Sequence, residues 1–286
     1  MRRIGKYQPV LIFIFPAAIF LFLFTLFPLF FSIFLSFTKF DFTKMEFVGL
    51  YNYFKLVNDQ YLYKALINTI LFTLAGVAAC FTFSLAAALL LNEKLKFRGV
   101  FRALFLLPWI VPSVVAAAIW MCLYSSSYGV LNYYLQQLGF ISSPIEWLGN
   151  TETVLPALIL ISLWKFVPWY TVSILAGLQS IPEYLYEAAK IDGAGRIARF
   201  RYITLPSLKS IFVIILSLGF IWRWNHFDIV WLLTGGGPAF SSHLIVTYIY
   251  LTTFGMFEAG YGAAIAVFSV GCLLVFVAVL AREVIR

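Results

Sequence analysis

SIPEYLYEAAKIDGAGRIARFRYITLP, residues 180–206, is a polar, basic, helix-forming island in a chain that is otherwise almost continuously apolar. Ser180, followed by Pro182 and Glu183, matches a capping box with proline in the first turn and predicts a helix starting at about Ile181. Residues 183–191 are good helix formers, and Gly193 and Gly195 stop that helix. A second short helix is expected from Arg196 to about Ile203, after which Leu205-Pro206 turns the chain into the next apolar run. Two short helices joined at a glycine elbow make a compact knob. Ala188 and Ala189 keep one surface small enough for close approach, and Glu187 offers a single charge to a basic partner. On the residues alone, an amphipathic hairpin whose Lys190, Arg196, Arg199 and Arg201 bind anionic lipid serves equally well.

What surrounds the island decides between solvents. The chain is 63% hydrophobic and 19% aromatic, with a mean hydropathy of +0.95. A soluble domain carries only about 45–50% apolar residues, so this is an integral membrane protein. A helix crosses a bilayer in about 20 apolar residues. Six runs meet that length, at about 10–37, 66–91, 103–124, 154–178, 210–232 and 260–281. The first is too long for a signal peptide, whose apolar core is about 7–15 residues, and is read as a retained span. The expectation is an all-α polytopic fold of six transmembrane helices in one domain, 1–286, with both termini on one side.

Charge orients it. The side holding the termini and the island collects 14 basic residues, among them Arg2, Arg3, Lys6, Lys94, Arg98, Lys190 and Arg286, against five acids that include Glu93 and Glu283. The opposite side has four lysines (Lys39, Lys44, Lys55, Lys64) against six acids. By the positive-inside rule both termini are cytoplasmic, in the cell membrane, and the island lies in the cytoplasm. The net charge of +8 therefore calls for no nucleic acid. The outer segments, 38–65, 125–153 and 234–259, are rich in Tyr, Phe, Trp and Gly; they suit connectors and lids as well as contacts with an external partner. Residues 128–135 resemble a short interfacial helix, and Gly235-Gly236-Gly237-Pro238 a tight turn closing the fifth span. Cys80, Cys122 and Cys272 fall inside apolar runs and read as small core hydrophobes.

Enzyme signatures are missing: no phosphate-binding Gly-x-x-x-x-Gly-Lys-Ser/Thr loop, no His-Glu-x-x-His, no Gly-x-Ser-x-Gly, and two histidines in all. No catalytic or metal-ligating set is expected, and any ATP site belongs to another chain. Ionisable groups at the bilayer centre cost at least about 2.5–3.5 kcal/mol, so they face a cavity or a partner. Lys165 and Arg223 fall near the middles of the fourth and fifth spans. Ser162, Lys165, Phe166 and Trp169 share one helix face; Gly219, Trp222, Arg223 and His226 repeat the spacing, with Tyr170 and Asn225 beside the stripes. Polar groups interleaved with aromatic faces suit a sugar, so these ten residues form the expected solute path. A bond from Lys165 to backbone or to a neighbouring subunit explains its place equally well, and Asp228 is read as structural. If both cations face the cavity, the solute is an acidic sugar or a sugar phosphate.

The spacing Glu187-Ala188-Ala189, three residues, Gly193, nine residues, Ile203-Thr204-Leu205-Pro206 resembles the coupling loop of permease subunits of binding-protein-dependent ABC importers. Leu178-Gln179-Ser180-Ile181-Pro182, Asp192-Gly193, Trp164-Lys165, Phe227-Asp228 and Leu233-Thr234-Gly235-Gly236-Gly237-Pro238 are similar to the carbohydrate branch, the maltose-type permeases, and to the first-named permease of the pair. The resemblance implies a MetI-like permease fold whose knob docks on a cytoplasmic ATPase through Glu187, Ala188, Ala189, Asp192, Gly193, Leu205 and Pro206. It also implies a second permease chain, two ATPases binding ATP and Mg, an external solute-binding protein, and import of a sugar or oligosaccharide by alternating access. The rival reading is a self-sufficient secondary transporter or channel in which Lys165, Arg223 and His226 couple or gate.

Overall fold

The computed structural model describes residues 8–93 and 96–285. Arg2, Arg3, Lys6, Lys94 and Arg286 of the charge count lie outside the described residues, as do the side chains of Arg98 and Glu283. In chain order, α1 (Gln8–Leu21) runs through a π-type turn into α2 (Phe27–Leu35), and β1 (Thr38–Phe40) pairs with β2 (Met45–Phe47). Next come α3 (Tyr51–Val57), α4 (Gln60–Asn92), α5 (Arg98–Ile110), α6 (Ser113–Leu123), α7 (Val130–Gln137) and α8 (Val154–Ser180). The island holds α9 (Glu183–Ile191) and α10 (Arg196–Arg199); α11 (Leu205–Trp224), α12 (Asp228–Thr234), α13 (Ile245–Tyr250) and α14 (Ala259–Ile285) complete the chain. The fold is all-α and multi-spanning, with five helices long and apolar enough to cross a membrane plus one bent pair.

That pair is the expected third span, which is not straight. Helical segments Gly99–Ile110 and Ser113–Leu123 meet at 93°. Pro112 has no N–H to continue the ladder and holds Val111 extended, at φ −58 and ψ 127, so the helix stops and restarts. The expected turn at Leu205-Pro206 is also absent. A π-type turn over Phe200–Thr204, closed by the Leu205 N–H on the Phe200 carbonyl, carries the helix on without a corner, and Pro206, which has no N–H to give, follows directly on this shift of hydrogen-bond register. Nor does Ser180 cap α9: it ends α8, its hydroxyl on the Gly177 carbonyl, while Pro182 stands at the N-cap of α9 without a side-chain bond. The β1–β2 hairpin is the one sheet among the described residues.

The chain divides into two compact units. The first combines the residues up to Asp59 with Ile249–Gly271. In it no residue of the most apolar window of Phe13–Leu35 is buried, which is the profile of a helix surrounded by lipid. The hairpin is pinned by Asn52, which is 4% exposed and donates to the Ser36 and Thr38 carbonyls at 2.9 and 2.8 Å. Gly260 lies so close that a Cβ there would stand 1.9 Å from the Thr38 carbonyl oxygen. The second unit, Gln60–Tyr248 with the residues from Cys272 on, is built on the pair α4 and α8. Phe72, Trp120, Leu158, Ile161, Ile229 and Leu244 form one core; Cys80, Tyr170, Ile174, Leu178, Leu208 and Ile215 form another. Cys122, by contrast, is exposed.

Candidate functional site

The two polar stripes meet, and they meet on a third helix. Arg223, 2% exposed near the end of α11, donates from Nη1 to the Ser162 hydroxyl of α8 at 2.6 Å and from Nη2 to the Cys80 sulfur of α4 at 2.8 Å. Its guanidinium carbon stands 5.9 Å from the Phe72 ring centre and 5.8 Å from that of Phe166. The fit depends on Gly76, because a Cβ there would lie 2.2 Å from Nη1. Among the described residues Arg223 has no ion pair, and its buried Nε has no hydrogen-bond partner. A full charge is thus held by one hydroxyl, one thiol and two aromatic faces.

His226 joins this knot although the expected helical spacing is wrong for it. α11 stops at Trp224, so His226 lies beyond the helix; it still stacks on Phe72 at 5.8 Å and meets Phe166 edge-on at 5.5 Å. Two further pairs tie α8 to α11. Tyr170, 1% exposed, turns its hydroxyl onto Gly219, where a Cβ would stand 1.5 Å from the oxygen. Trp169 and Trp222 pack with ring centres 4.6 Å apart. Asn225 is exposed and bonds back to the Ile221 carbonyl of its own helix.

Lys165 points elsewhere. Its ammonium donates to the Val111 carbonyl, the group orphaned where the third span breaks. A cation at the C-terminal end of α5 also meets the negative end of that helix dipole. Of the ten expected path residues, the structure therefore gathers Ser162, Phe166, Arg223 and His226 into one knot and Tyr170, Gly219, Trp169 and Trp222 beside it. Lys165 and Asn225 are engaged apart from them. The α4 contributors were missed by reading α8 and α11 alone. Phe72, Gly76 and Cys80 recur every fourth residue, a stripe that the sequence does carry.

The island is a knob between α8 and α11. Gly193, at φ +80, closes α9: the Ala194 N–H reaches the Ala189 carbonyl at 2.8 Å and the Gly193 N–H the Lys190 carbonyl at 3.1 Å, a Schellman pair. Tyr186 and Thr204 join their hydroxyls at 2.9 Å across it. Glu187, Ala188, Asp192, Gly193 and Pro206 are exposed; Ala189 and Leu205 are half-buried. The surprise is apolar: Ile191 is 88% and Ile197 84% exposed, beside exposed Tyr184 and Tyr202. Large exposed apolar side chains on a polar knob are of the kind found at protein–protein contact sites.

Among the described residues outside the spans, the acid that is strongly perturbed is Asp41. The Thr43 hydroxyl, followed by the Lys44 and Thr43 backbone N–H groups, lowers the pKa of Asp41 to about 2. Among the described residues no three His, Cys, Asp or Glu side chains group as metal ligands.

Residues 80–284 match the sequence model of the family described as binding-protein-dependent transport system inner membrane component. The chain is 39% identical over 230 residues to the trehalose/maltose transport system permease protein MalF of Thermococcus litoralis, covering 80% of this chain and 77% of that one. It is 36% identical over 267 residues to the sulfoquinovosyl glycerol transport system permease protein SmoG of Agrobacterium fabrum, covering 92% and 86%. A chain of a bacterial ABC transporter involved in the import of the acidic polysaccharide alginate shares its fold, with a TM-score of 0.84, 24% identity and coverage of 99% and 97%.

Proposed function

The chain belongs to the family of binding-protein-dependent transport system inner membrane components, and on that premise we propose that it passes a carbohydrate from an external solute-binding protein to the cytoplasm by alternating access. It is a polytopic permease subunit of a solute-importing ABC transporter, translocating rather than catalytic. In this proposal both termini and the knob are cytoplasmic, a second permease chain completes the path, and two ATPase subunits bind ATP and Mg. The observation that carries the coupling is the exposed tip of the knob, where Glu187 and Asp192 stand among Ile191, Ile197, Tyr184 and Tyr202 between the two helices that share the Arg223 knot. In the reconstituted importer, Glu187→Ala with Gly193→Asp should abolish uptake and leave the binding protein's affinity unchanged. Near-normal uptake removes the knob from the mechanism.

For the substrate the reading we favour is an acidic sugar or glycoside over a plain maltose-type sugar. Arg223 is a buried cation facing no carboxylate among the described residues, so an incoming anionic group finds an unsatisfied charge. A relative matched over 92% of the chain is named for sulfoquinovosyl glycerol, a sulfonate. The trehalose/maltose relative supports the neutral alternative. Uptake of sulfoquinovosyl glycerol and of trehalose by Arg223→Gln separates them. Selective loss of the sulfonate supports the charge reading, and equal loss of both refutes it.

A further inference from the structure

The first unit contains a cleft of its own. It is about 410 Å³, within the range of small-ligand sites, and lies between the β1–β2 hairpin, α3 and the start of α14. Its walls combine aromatic faces with charged groups. Tyr51 is 62% and Phe257 61% exposed, and both line the cleft together with Lys39, Lys55, Asp41 and Glu258. Two lysines balance two acids, which disfavours a free metal cation or a lipid phosphate. A hydroxyl-rich ring uses the set fully: its C–H face lies on an aromatic face, and its hydroxyls donate to carboxylates and accept from ammonium groups.

The cleft is built rather than incidental. Asn52 and the Gly260 approach clamp the hairpin onto α3 and the start of α14. Lys55 pairs with Glu258 and lies 4.1 Å above the Tyr261 ring centre, and the Tyr261 hydroxyl donates to Asp59. All three bonds that Asp41 accepts from Thr43 and Lys44 go to Oδ1, and Glu258 meets Lys55 through Oε2, so each carboxylate keeps a second oxygen for a ligand. Phe257 of the lining and Phe42 in the turn between β1 and β2 hold φ of +58 and +68, their rings 6.4 Å apart at 87°. Left-handed backbone at bulky residues costs on the order of 1–3 kcal/mol each and collects at ligand clamps.

We propose that this cleft of the first unit is a saccharide-ring subsite on the outer side of the membrane. The assignment of the ligand class and of the outer side rests on the carbohydrate-importer reading above. Saturation-transfer NMR on the complete importer in lipid nanodiscs tests it, with trehalose, maltotriose and sulfoquinovosyl glycerol as probes. At least one probe should show saturation of its ring protons. Tyr51→Ala should weaken that binding at least tenfold, Glu258→Gln severalfold, and Tyr51→Trp should retain it. Absence of saturation for every probe, or saturation unchanged in both Tyr51→Ala and Glu258→Gln, overturns the subsite. Failure of the importer reading shows separately, as uptake that needs no ATP or ignores Gly193→Asp.

Discussion

Gly76→Ala is the sharpest test of the Arg223 knot, because two opposite effects of one methyl group can be weighed. In the middle of α4 the exchange should by propensity alone stabilise the helix by about 0.8–1 kcal/mol. The new Cβ, however, would lie 2.2 Å from Arg223 Nη1, 2.8 Å from Cζ and 3.2 Å from Cδ. The guanidinium must leave, and with it go the bonds to Ser162 and Cys80. Hydrogen bonds to a charged group are worth about 1.5–3 kcal/mol each, so the two together outweigh the propensity gain, and a net loss of about 2–5 kcal/mol follows. Unfolding of the purified complex in mixed micelles measures it. The control is a double-mutant cycle: in an Arg223→Met background, where the long cation is gone, Gly76→Ala should be neutral or slightly stabilising. A coupling of about 2–6 kcal/mol follows from these figures, at or above the upper end for residues in direct contact. If Gly76→Ala costs the same in both backgrounds, the arginine does not occupy that space and the knot is wrong.

Lys165→Met keeps the length of the stem but leaves the Val111 carbonyl without its donor, and should cost about 1–3 kcal/mol in the same unfolding assay; a cost near zero would show that the broken span holds itself. Gly260→Ala would force its Cβ to within 1.9 Å of the Thr38 carbonyl oxygen, so the hairpin must lift; proteolysis between Phe40 and Met45 should speed up at least tenfold, and an unchanged rate would refute the clamp. For Asp41 the folded value is depressed, so its stabilisation is complete above the ordinary value of 3.8 and fades as pH falls through about 2. The difference in thermal stability between the protein and Asp41→Asn should therefore be present at pH 6 and close towards pH 2. A gap that widens on acidification would contradict the sign.

Hydropathy made the long helices legible because twenty apolar residues have few other uses. It was blind to breaks, since a window average over 103–124 is the same whether Pro112 bends the chain or not. The residue before a proline is pushed to extended backbone, and Val111-Pro112 carried that signal at a place where length favoured a continuous span. At Leu205-Pro206 the same residue type had the opposite outcome. The π-type turn before it absorbed the missing bond, and nothing local distinguishes the two sites. The hairpin escaped notice because it is three residues on each side and draws its order from Asn52, fourteen to sixteen positions away. Arg223 was legible as a costly group needing a partner. That the partner is Cys80, 143 positions distant, is set by tertiary packing alone.

The positions of the cross-ties say how motion of the knob would travel. α8 ends at Ser180 and α11 begins at Leu205, so the knob hangs from the ends of both helices. Just inside, Gly177 admits Leu208 and Ile211 so closely that a Cβ would lie 2.8 and 2.4 Å from them. Two turns further along α8, Tyr170 sits on Gly219, and beyond that Ser162 accepts from Arg223. From residue 177 to residue 162 is about 22 Å of helix at 1.5 Å per residue. Over that length the two helices are locked at three levels by contacts with no slack, and close-packed interiors transmit displacement rather than absorb it. A tilt imposed on the knob would therefore move α8 and α11 as a pair, and the first place where the path can yield is beyond the last tie. There α11 gives way at Asn225, while Lys165, between the second and third ties, holds the break in the third span. In the translocation step proposed above, bending is therefore expected at that end of α11, where the helix is already broken, before it is expected between the ties.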